Sequence, residues 1–407
     1  GLALLEKLKV KQFRIQSMVL CPTRELADQV AKEIRKLARA IHNIKVLTLC
    51  GGTPFGPQIG SLEHGAHIIV GTPGRIEEHV IKGTLKLDNL NLLVLDEADR
   101  MLEMGFEAAL DNIIERTPLE RQTLLFSATF PKQIQVISES IMTDPVLVKI
   151  NSNDDQSTIS QAFYKVDNDA ERFDALRLLL LDNPVESTVI FCNTKKETQT
   201  VCNKLHDDGF SVLALHGDLE QRDRDQTLLR FANKSAAILV ATDVAARGLD
   251  IDSLDLVVNY HIAHDSEVHI HRIGRTGRAG AKGKAISLFN DKESYKVGLI
   301  EDELEQVIKP ELLPSIDVLN NARLTAKMST IQIDAGKKQK VRPGDILGAL
   351  TAKNSGAEII GKDVGKINVL DNKAYVAVNK KILKLALRKL STGKMKGRTY
   401  KVRHLTL

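Results

Sequence analysis

Short aliphatic runs alternate with amphipathic stretches along the first three quarters of the chain. Residues 18–20, 44–49, 68–70, 92–95 and 123–126 are apolar runs too short for helices, and segments such as 25–41 repeat their apolar positions at helical spacing. Strands that alternate with helices predict parallel βαβ units. After a polar stretch at 151–160, read as an interdomain linker, the alternation resumes with runs at 189–192, 212–215, 237–241, 256–259 and 284–289. Two similar α/β domains in tandem are the expectation, and such a pair is suited to sharing one ligand.

The last 80 residues have a different rhythm. A strand-like segment at 330–334 precedes a helix opened by Pro343, strands at 366–370 and 374–378, a helix at 380–390 and a strand at 399–405. The order βαββαβ is the split βαβ arrangement used by RRM-type domains. Yet the segment 372–378 offers only Tyr375 where such domains usually place several stacking aromatics. Contacts to structured RNA are therefore better sought at Lys337, Lys338, Lys340, Arg342, Lys394, Lys396, Arg398, Lys401 and Arg403, each of which also suits a solvated surface.

Charge sharpens this division. The 407 residues have a net charge of +5, but from Met328 onward 18 Lys and Arg face 5 Asp and Glu, a local net of +13 that leaves −8 for residues 1–327. A basic module on a mildly acidic body is the electrostatic footprint of a nucleic-acid tether. Such a length predicts two to three domains. With 4% aromatic residues and no Trp, the cores must be aliphatic. No apolar run approaches a membrane span, and no membrane partner is expected. The four cysteines, Cys21, Cys50, Cys192 and Cys202, lack metal spacing and read as reduced thiols of a cytoplasmic protein.

The chemistry begins where the run Leu92-Leu93-Val94-Leu95 stops at Asp96, Glu97 and, after Ala98, Asp99. Ligands of parallel sheets bind outside the carboxyl ends of the strands. An Asp there can hold Mg²⁺, and a neighbouring Glu can orient or deprotonate an attacking water. The same residues also suit an acidic first turn of a helix. In the second half, His271-Arg272-Ile273-Gly274-Arg275-Thr276-Gly277-Arg278 spaces three arginines by three, with glycines between. Guanidinium groups answer phosphate oxygens in a bidentate fashion, and a second domain can supply them to a developing γ-phosphate charge.

These two strings belong to an ordered set: Pro22 to Ala27, Gly51-Gly52, Thr72-Pro73-Gly74-Arg75, Asp96-Glu97-Ala98-Asp99, Ser127-Ala128-Thr129, Phe191 to Thr194, Ala241-Thr242-Asp243 through Arg247-Gly248-Leu249-Asp250, and the arginine string. In content and order, residues 1–310 resemble the DEAD-box RNA helicases. The resemblance implies an α/β fold of two tandem RecA-like parallel-sheet domains, at 1–152 (incomplete) and 153–310, followed by an RRM-like α+β domain at 328–407. It implies ATP and Mg²⁺ as cofactors, with Asp96 as metal residue. Asp96, Glu97, Arg275 and Arg278 would be catalytic, and Asp243 and Asp250 would join them in nucleotide binding. Asp99, Ser127, Thr129 and His271 would couple hydrolysis to domain closure. Arg24, Gly52, Thr72, Arg75, Gln221, Arg224 and Thr242 would grip one RNA strand by its backbone, which conveys little sequence information. Specificity then falls to Lys394, Lys396, Arg398 and Arg403 in the tail, which resembles that of a bacterial branch of the family acting on 23S ribosomal RNA in large-subunit assembly. A monomer is expected.

One motif is absent. The 407 residues hold no G-x-x-x-x-G-K-[ST], whose backbone amides cradle phosphates and whose Lys pairs with them. The nearest string, from Gly356 through Gly361 and Lys362 to Asp363, has Asp in place of the metal-binding hydroxyl and reads as a turn. Leu2, Leu4, Leu5 and Leu8 form a helical stripe where the family has the helix after its P-loop. The expectation is an N-terminal truncation that leaves these residues alone without RNA-stimulated ATP hydrolysis. Two alternatives stay open: a non-catalytic RNA-binding protein, and a general RNA-remodelling helicase of cold adaptation or RNA decay.

Overall fold

The structure is a computed structural model that describes residues 1–130, 132–149, 158–246, 254–277, 282–352 and 358–406. The first unit is built on five parallel strands, β1 (Ser17–Leu20), β2 (Val46–Leu49), β3 (Ile68–Gly71), β4 (Leu92–Leu95) and β5 (Gln122–Leu125), in the order β2-β3-β1-β4-β5. Every residue of β1, β3 and β4 is buried, as expected for strands covered by helices on both faces. The pairing is level. Leu20 lies opposite both Gly71 and Leu95, and Leu95 opposite Leu125, so the strands end along one edge. Strand order reverses between β1 and β4, the position where open parallel sheets bind ligands.

The second unit repeats the design with six parallel strands. These are β6 (Ile159–Lys165), β7 (Thr188–Phe191), β8 (Val212–Leu215), β9 (Ile238–Ala241), β10 (Leu256–Asn259) and β11 (Gly283–Phe289), in the order β6-β11-β10-β7-β9-β8. Strand β6 is the departure from expectation. Its polar start assigns it to the end of the linker at 151–160, but all seven residues pair with β11. The linker's residues 151–157 lie outside the described residues. In the sequence Ile-Ser-Gln-Ala-Phe-Tyr-Lys, Ser160 and Gln161 separate Ile159 from the short apolar stretch Ala162 to Tyr164, which hides the strand from a reading based on apolar runs.

Four antiparallel strands close the chain: β12 (Met328–Ile333), β13 (Val364–Val369), β14 (Ala374–Asn379) and β15 (Val402–His404), in the order β13-β14-β12-β15. Helices Pro343–Thr351 and Leu383–Thr392 cover one face, so the predicted βαββαβ order is present. The opposite face packs on the second parallel-sheet domain. Thr330 and Gln332, which alternate with the core residues Ile331 and Ile333, are fully buried, and the Thr330 hydroxyl lies 2.7 Å from that of Ser235. The connecting segment is also docked: Leu313, Val318, Leu319 and Leu324 pack on the domain's core, and the Ser211 amide donates to the Leu324 carbonyl. Glu186 joins Lys234 of the domain to Lys327 of the connector, and these two ammonium groups pull its carboxyl down to about 2.

Buried histidines make the fold acid-sensitive. His79 and His269 have no exposed surface, and burial lowers their pKa values to about 4 and about 3. The unfolded chain would take up protons near the usual value of about 6.5, whereas the folded chain refuses them. Their contribution is therefore complete above that value and is lost as pH falls through it. The melting temperature followed by circular dichroism should drop steadily between pH 7 and pH 5; an unchanged or rising value would mean that these rings are not held neutral.

Candidate nucleotide and RNA sites

The acidic edge grows directly from the sheet. After β4 the Asp96 amide donates to the Leu20 carbonyl of β1, which fixes the chain at the strand-order reversal. Among the described residues no basic side chain pairs with Asp96, and burial raises its pKa. A half-buried carboxylate without a cationic partner is a donor suited to a hard divalent cation. Glu97 has φ 51° and ψ 53°, a left-handed conformation that costs a non-glycine residue about 1–3 kcal/mol and is held here by its surroundings. The next residue supplies one of those restraints, since the Ala98 amide donates to the Phe126 carbonyl.

Asp99 then ties the acidic string to the Ser-Ala-Thr string. It is 4% exposed; its Oδ2 accepts from the Thr129 amide at 3.2 Å and the Thr129 hydroxyl at 3.1 Å, and its own amide donates to the Ser127 hydroxyl at 3.3 Å. A shift of either string must disturb the other. That is the physical requirement for the coupling role expected of Asp99, Ser127 and Thr129.

The other expected residues of the first domain also follow strand ends. Thr23 caps helix Arg24–Leu37 by accepting from the Leu26 amide. Arg24 Nε and Nη1 are buried and have no hydrogen-bond partner among the described residues. Orphaned guanidinium donors are costly unless an acceptor such as phosphate arrives. Gly52 has φ +70°, which favours glycine. Thr72 precedes helix Pro73–Ile81, and Arg75 within it donates from Nη1 to the Thr53 carbonyl and pairs through Nε with Glu78. Gln58 and His79, which sequence reasoning did not single out, stand behind this group.

In the second domain the arginine string contributes a buried member, Arg272, to which the sequence reading gave no role. It is 2% exposed and uses all five of its donors. Nε and Nη2 reach the two Asp243 oxygens at 2.6 and 2.7 Å, Nη2 also reaches Asn193 Oδ1 at 2.9 Å, and Nη1 reaches the His261 carbonyl and Asn259 Oδ1 at 2.7 and 3.3 Å. These partners follow or end β7, β9 and β10, so Arg272 staples three strand ends. Asp243, expected at the nucleotide, has both oxygens engaged by this arginine. Thr242 lies just after β9, and His271 occupies the last turn of helix Ser266–Ile273. Arg275 is half-buried, and its carbonyl accepts from the Leu254 amide. Gln221 and Arg224 lie on helix Gln221–Ala232, where Gln221 donates to Asp225. Arg278 and Asp250 lie outside the described residues.

In the tail, Tyr375 is opposite Gln332 on the covered face and is 5% exposed, so it offers no stacking platform. Lys394, Lys396 and Arg398 are exposed on a turn with left-handed Lys396 and Gly397, and Lys396 pairs with Asp345 at 3.1 Å. Lys340 and Arg342 are exposed beside the Asp345 helix. Arg403 is exposed and donates to Gln332.

One sheet edge thus presents a tethered carboxylate string in the first domain, and an arginine-stapled motif follows the strand ends of the second. Residues 1–137 match the DEAD/DEAH box helicase family, 171–280 the helicase conserved C-terminal domain, and 330–404 the DbpA RNA binding domain. The ATP-dependent RNA helicase DbpA of Escherichia coli (strain K12) is 53% identical over 405 residues, covering 100% of this chain and 87% of the relative. That of Bacillus subtilis (strain 168) is 35% identical, covering 99% and 87%. The structure of Saccharomyces cerevisiae Dbp5 bound to RNA and ADP BeF3 aligns with a TM-score of 0.69 at 31% identity, over 76% of this chain and 81% of that one. The chain belongs to the DEAD-box family of ATP-dependent RNA helicases, with an RNA-binding domain of the DbpA type.

The arginine staple has a measurable consequence. Arg272→Met leaves Asp243 without its cation, and breaking a buried pair in this way typically costs about 3–5 kcal/mol. Urea unfolding of the variant should show a loss of that order; stability equal to the parent would show that the pair does not hold the strand ends together.

Proposed function

We propose that this helicase unwinds RNA locally with ATP and Mg²⁺, and that its tail directs it to 23S ribosomal RNA in precursors of the large ribosomal subunit, in the cytoplasm and as a monomer. The observation that carries the reading is the Asp99 bridge, which makes the nucleotide-facing carboxylates and the Ser127–Thr129 turn one mechanical element. Asp96, lacking a basic partner, would hold Mg²⁺, which when bound neutralises charge on the phosphates. Glu97 takes the proton of the attacking water. Arg275 and Arg278 answer the charge that develops on the γ-phosphate, and Arg272 ties the helix that precedes Arg275 to the ends of β7, β9 and β10. Arg24, Gly52, Thr72 and Arg75, together with Gln221, Arg224 and Thr242, hold one RNA strand by sugar and phosphate.

Selection of ribosomal RNA falls to the tail. Its sheet face is covered, which favours an RNA whose folded shape meets the exposed basic turn at Lys394, Lys396 and Arg398 together with Arg403. Recognition through phosphates and grooves of a structured hairpin fits that surface better than stacking of splayed bases.

Two measurements test these roles in a chain that includes a P-loop. Glu97→Gln keeps the shape of the side chain but cannot accept a proton, so single-turnover hydrolysis should fall by about 10² to 10⁴ while nucleotide affinity stays nearly constant; equal losses in both would make Glu97 structural. Binding of a 23S hairpin should weaken with salt, and replacing Lys394, Lys396, Arg398 and Arg403 by Gln should flatten the log-log slope by roughly 0.7 to 0.9 for each phosphate no longer neutralised. An unchanged slope would remove these four residues from the interface.

A further inference from the structure

Four hydrogen bonds converge on one amide behind the proposed RNA grip of the first domain. Gln58 lies in helix Phe55–Glu63 and is 9% exposed. Its Nε2 donates to the Cys50 carbonyl at 3.0 Å and to the Thr53 hydroxyl at 2.6 Å. Its Oε1 accepts from Arg75 Nη1 at 3.0 Å and from His79 Nε2 at 2.9 Å. Both donors and both lone-pair directions of the amide are in use.

The partners span the segment that holds Gly52 and the helix that holds Arg75. Cys50 and Thr53 flank Gly51 and Gly52, and the Thr53 hydroxyl itself donates to the Cys50 carbonyl. Arg75 Nη1 donates both to Gln58 and to the Thr53 carbonyl, so a single nitrogen ties the guanidinium to the amide and to the glycine loop. His79 fixes which way the amide points. Facing an oxygen that already accepts from Arg75, its Nε2 is the ring nitrogen that carries the proton; its Nδ1 lies 2.8 Å from the Thr84 hydroxyl, which also donates to the His79 carbonyl, and its ring stacks on Phe55 with centroids 4.1 Å apart. The opposite amide orientation would set the Gln58 amino group against the Arg75 guanidinium, which can only donate.

The geometry points to Gln58 as the positioning residue of the RNA grip: its amide sets the Gly52 loop and the Arg75 guanidinium in one arrangement without itself touching RNA, and His79 locks that amide. This rests on the reading that Arg75 and the Gly52 loop contact RNA. The bonds to Gln58, Thr53 and Glu78 engage Arg75 through Nη1 and Nε, which leaves Nη2 as the nitrogen for a phosphate. An amide is required because the site asks for donors on one side and acceptors on the other. A carboxylate at the same place would keep the Arg75 bond but set an oxygen against the Cys50 carbonyl.

The test uses a chain to which a P-loop segment has been supplied, a fluorescent short oligouridylate, and ADP with beryllium fluoride. Gln58→Glu should weaken oligouridylate binding about tenfold, the size of effect expected when buried donors lose their partners, while affinity for the nucleotide alone stays within a factor of about two. Gln58→Met, of similar length and apolar, should give the same loss and guards against a repulsion peculiar to the carboxylate. Arg75→Ala tests the underlying reading, and the loss in the Gln58→Glu, Arg75→Ala double variant should be clearly smaller than the product of the two single losses, because Gln58 acts in part through Arg75. If Arg75→Ala weakens binding but the Gln58 variants do not, or if the two losses multiply, the positioning role is overturned while the RNA grip stands. If Arg75→Ala has no effect, both fall. A general loss of stability would lower nucleotide affinity and melting temperature along with RNA affinity, and that pattern also overturns the proposal.

Discussion

Burial of short parallel strands on both faces is the constraint from which the rest of this molecule follows. A strand such as Leu92–Leu95 can be wholly aliphatic only if helices cover both sides, and its polar continuation must then emerge at the sheet edge. Because Leu20, Leu95 and Leu125 are in level register, the residues that follow β1, β4 and β5 emerge side by side. Asp96, Ser127 and Thr23 are thus neighbours in consequence of a hydrophobic arrangement, and the second domain brings Asn193, Asp243 and Asn259 together in the same way.

At each edge one buried polar group then fixes the emerging loops. Asp99 accepts from Thr129 and joins Ser127, Arg272 gathers Asp243, Asn193 and Asn259, and Gln58 joins Cys50, Thr53 and Arg75. In all three the capacity for hydrogen bonds is nearly or wholly used, and a buried group left half-paired would cost more than it returns. The loops at these edges are therefore held in place by buried polar atoms.

What the sequence disclosed follows from what its signals measure. Leu92–Leu95 with Asp96 and Glu97 was legible because burial on two faces and a sharp polar stop are both one-dimensional features. The order of motifs revealed the family, and the excess of Lys after Met328 revealed the basic tail. Strand β6 was hidden because Ser160 and Gln161 interrupt its apolar face, although pairing with β11 makes it a strand. Gln58 and His79, and the role of Arg272 within its string, were hidden for another reason: each is defined by its bonding partners, which lie 5 to 79 residues away. The glycine loop and the arginine string announced themselves, whereas the residues that hold them had no local signal beyond being polar within helices.

The covered face of the tail bears on how such proteins diversify. Since Thr330 meets Ser235 and Lys327 meets Glu186, the tail is not a cassette on a flexible string but a fixed extension of the second domain. A flexible linker raises the local concentration of a target without choosing its direction, whereas a rigid joint makes distance and orientation part of recognition. Transplanting these 80 residues to another motor would move the affinity but not the address. Divergence of the tail's target would need matched changes at Ser235, Glu186 and their partners, and that dependence makes the joint itself a heritable part of specificity.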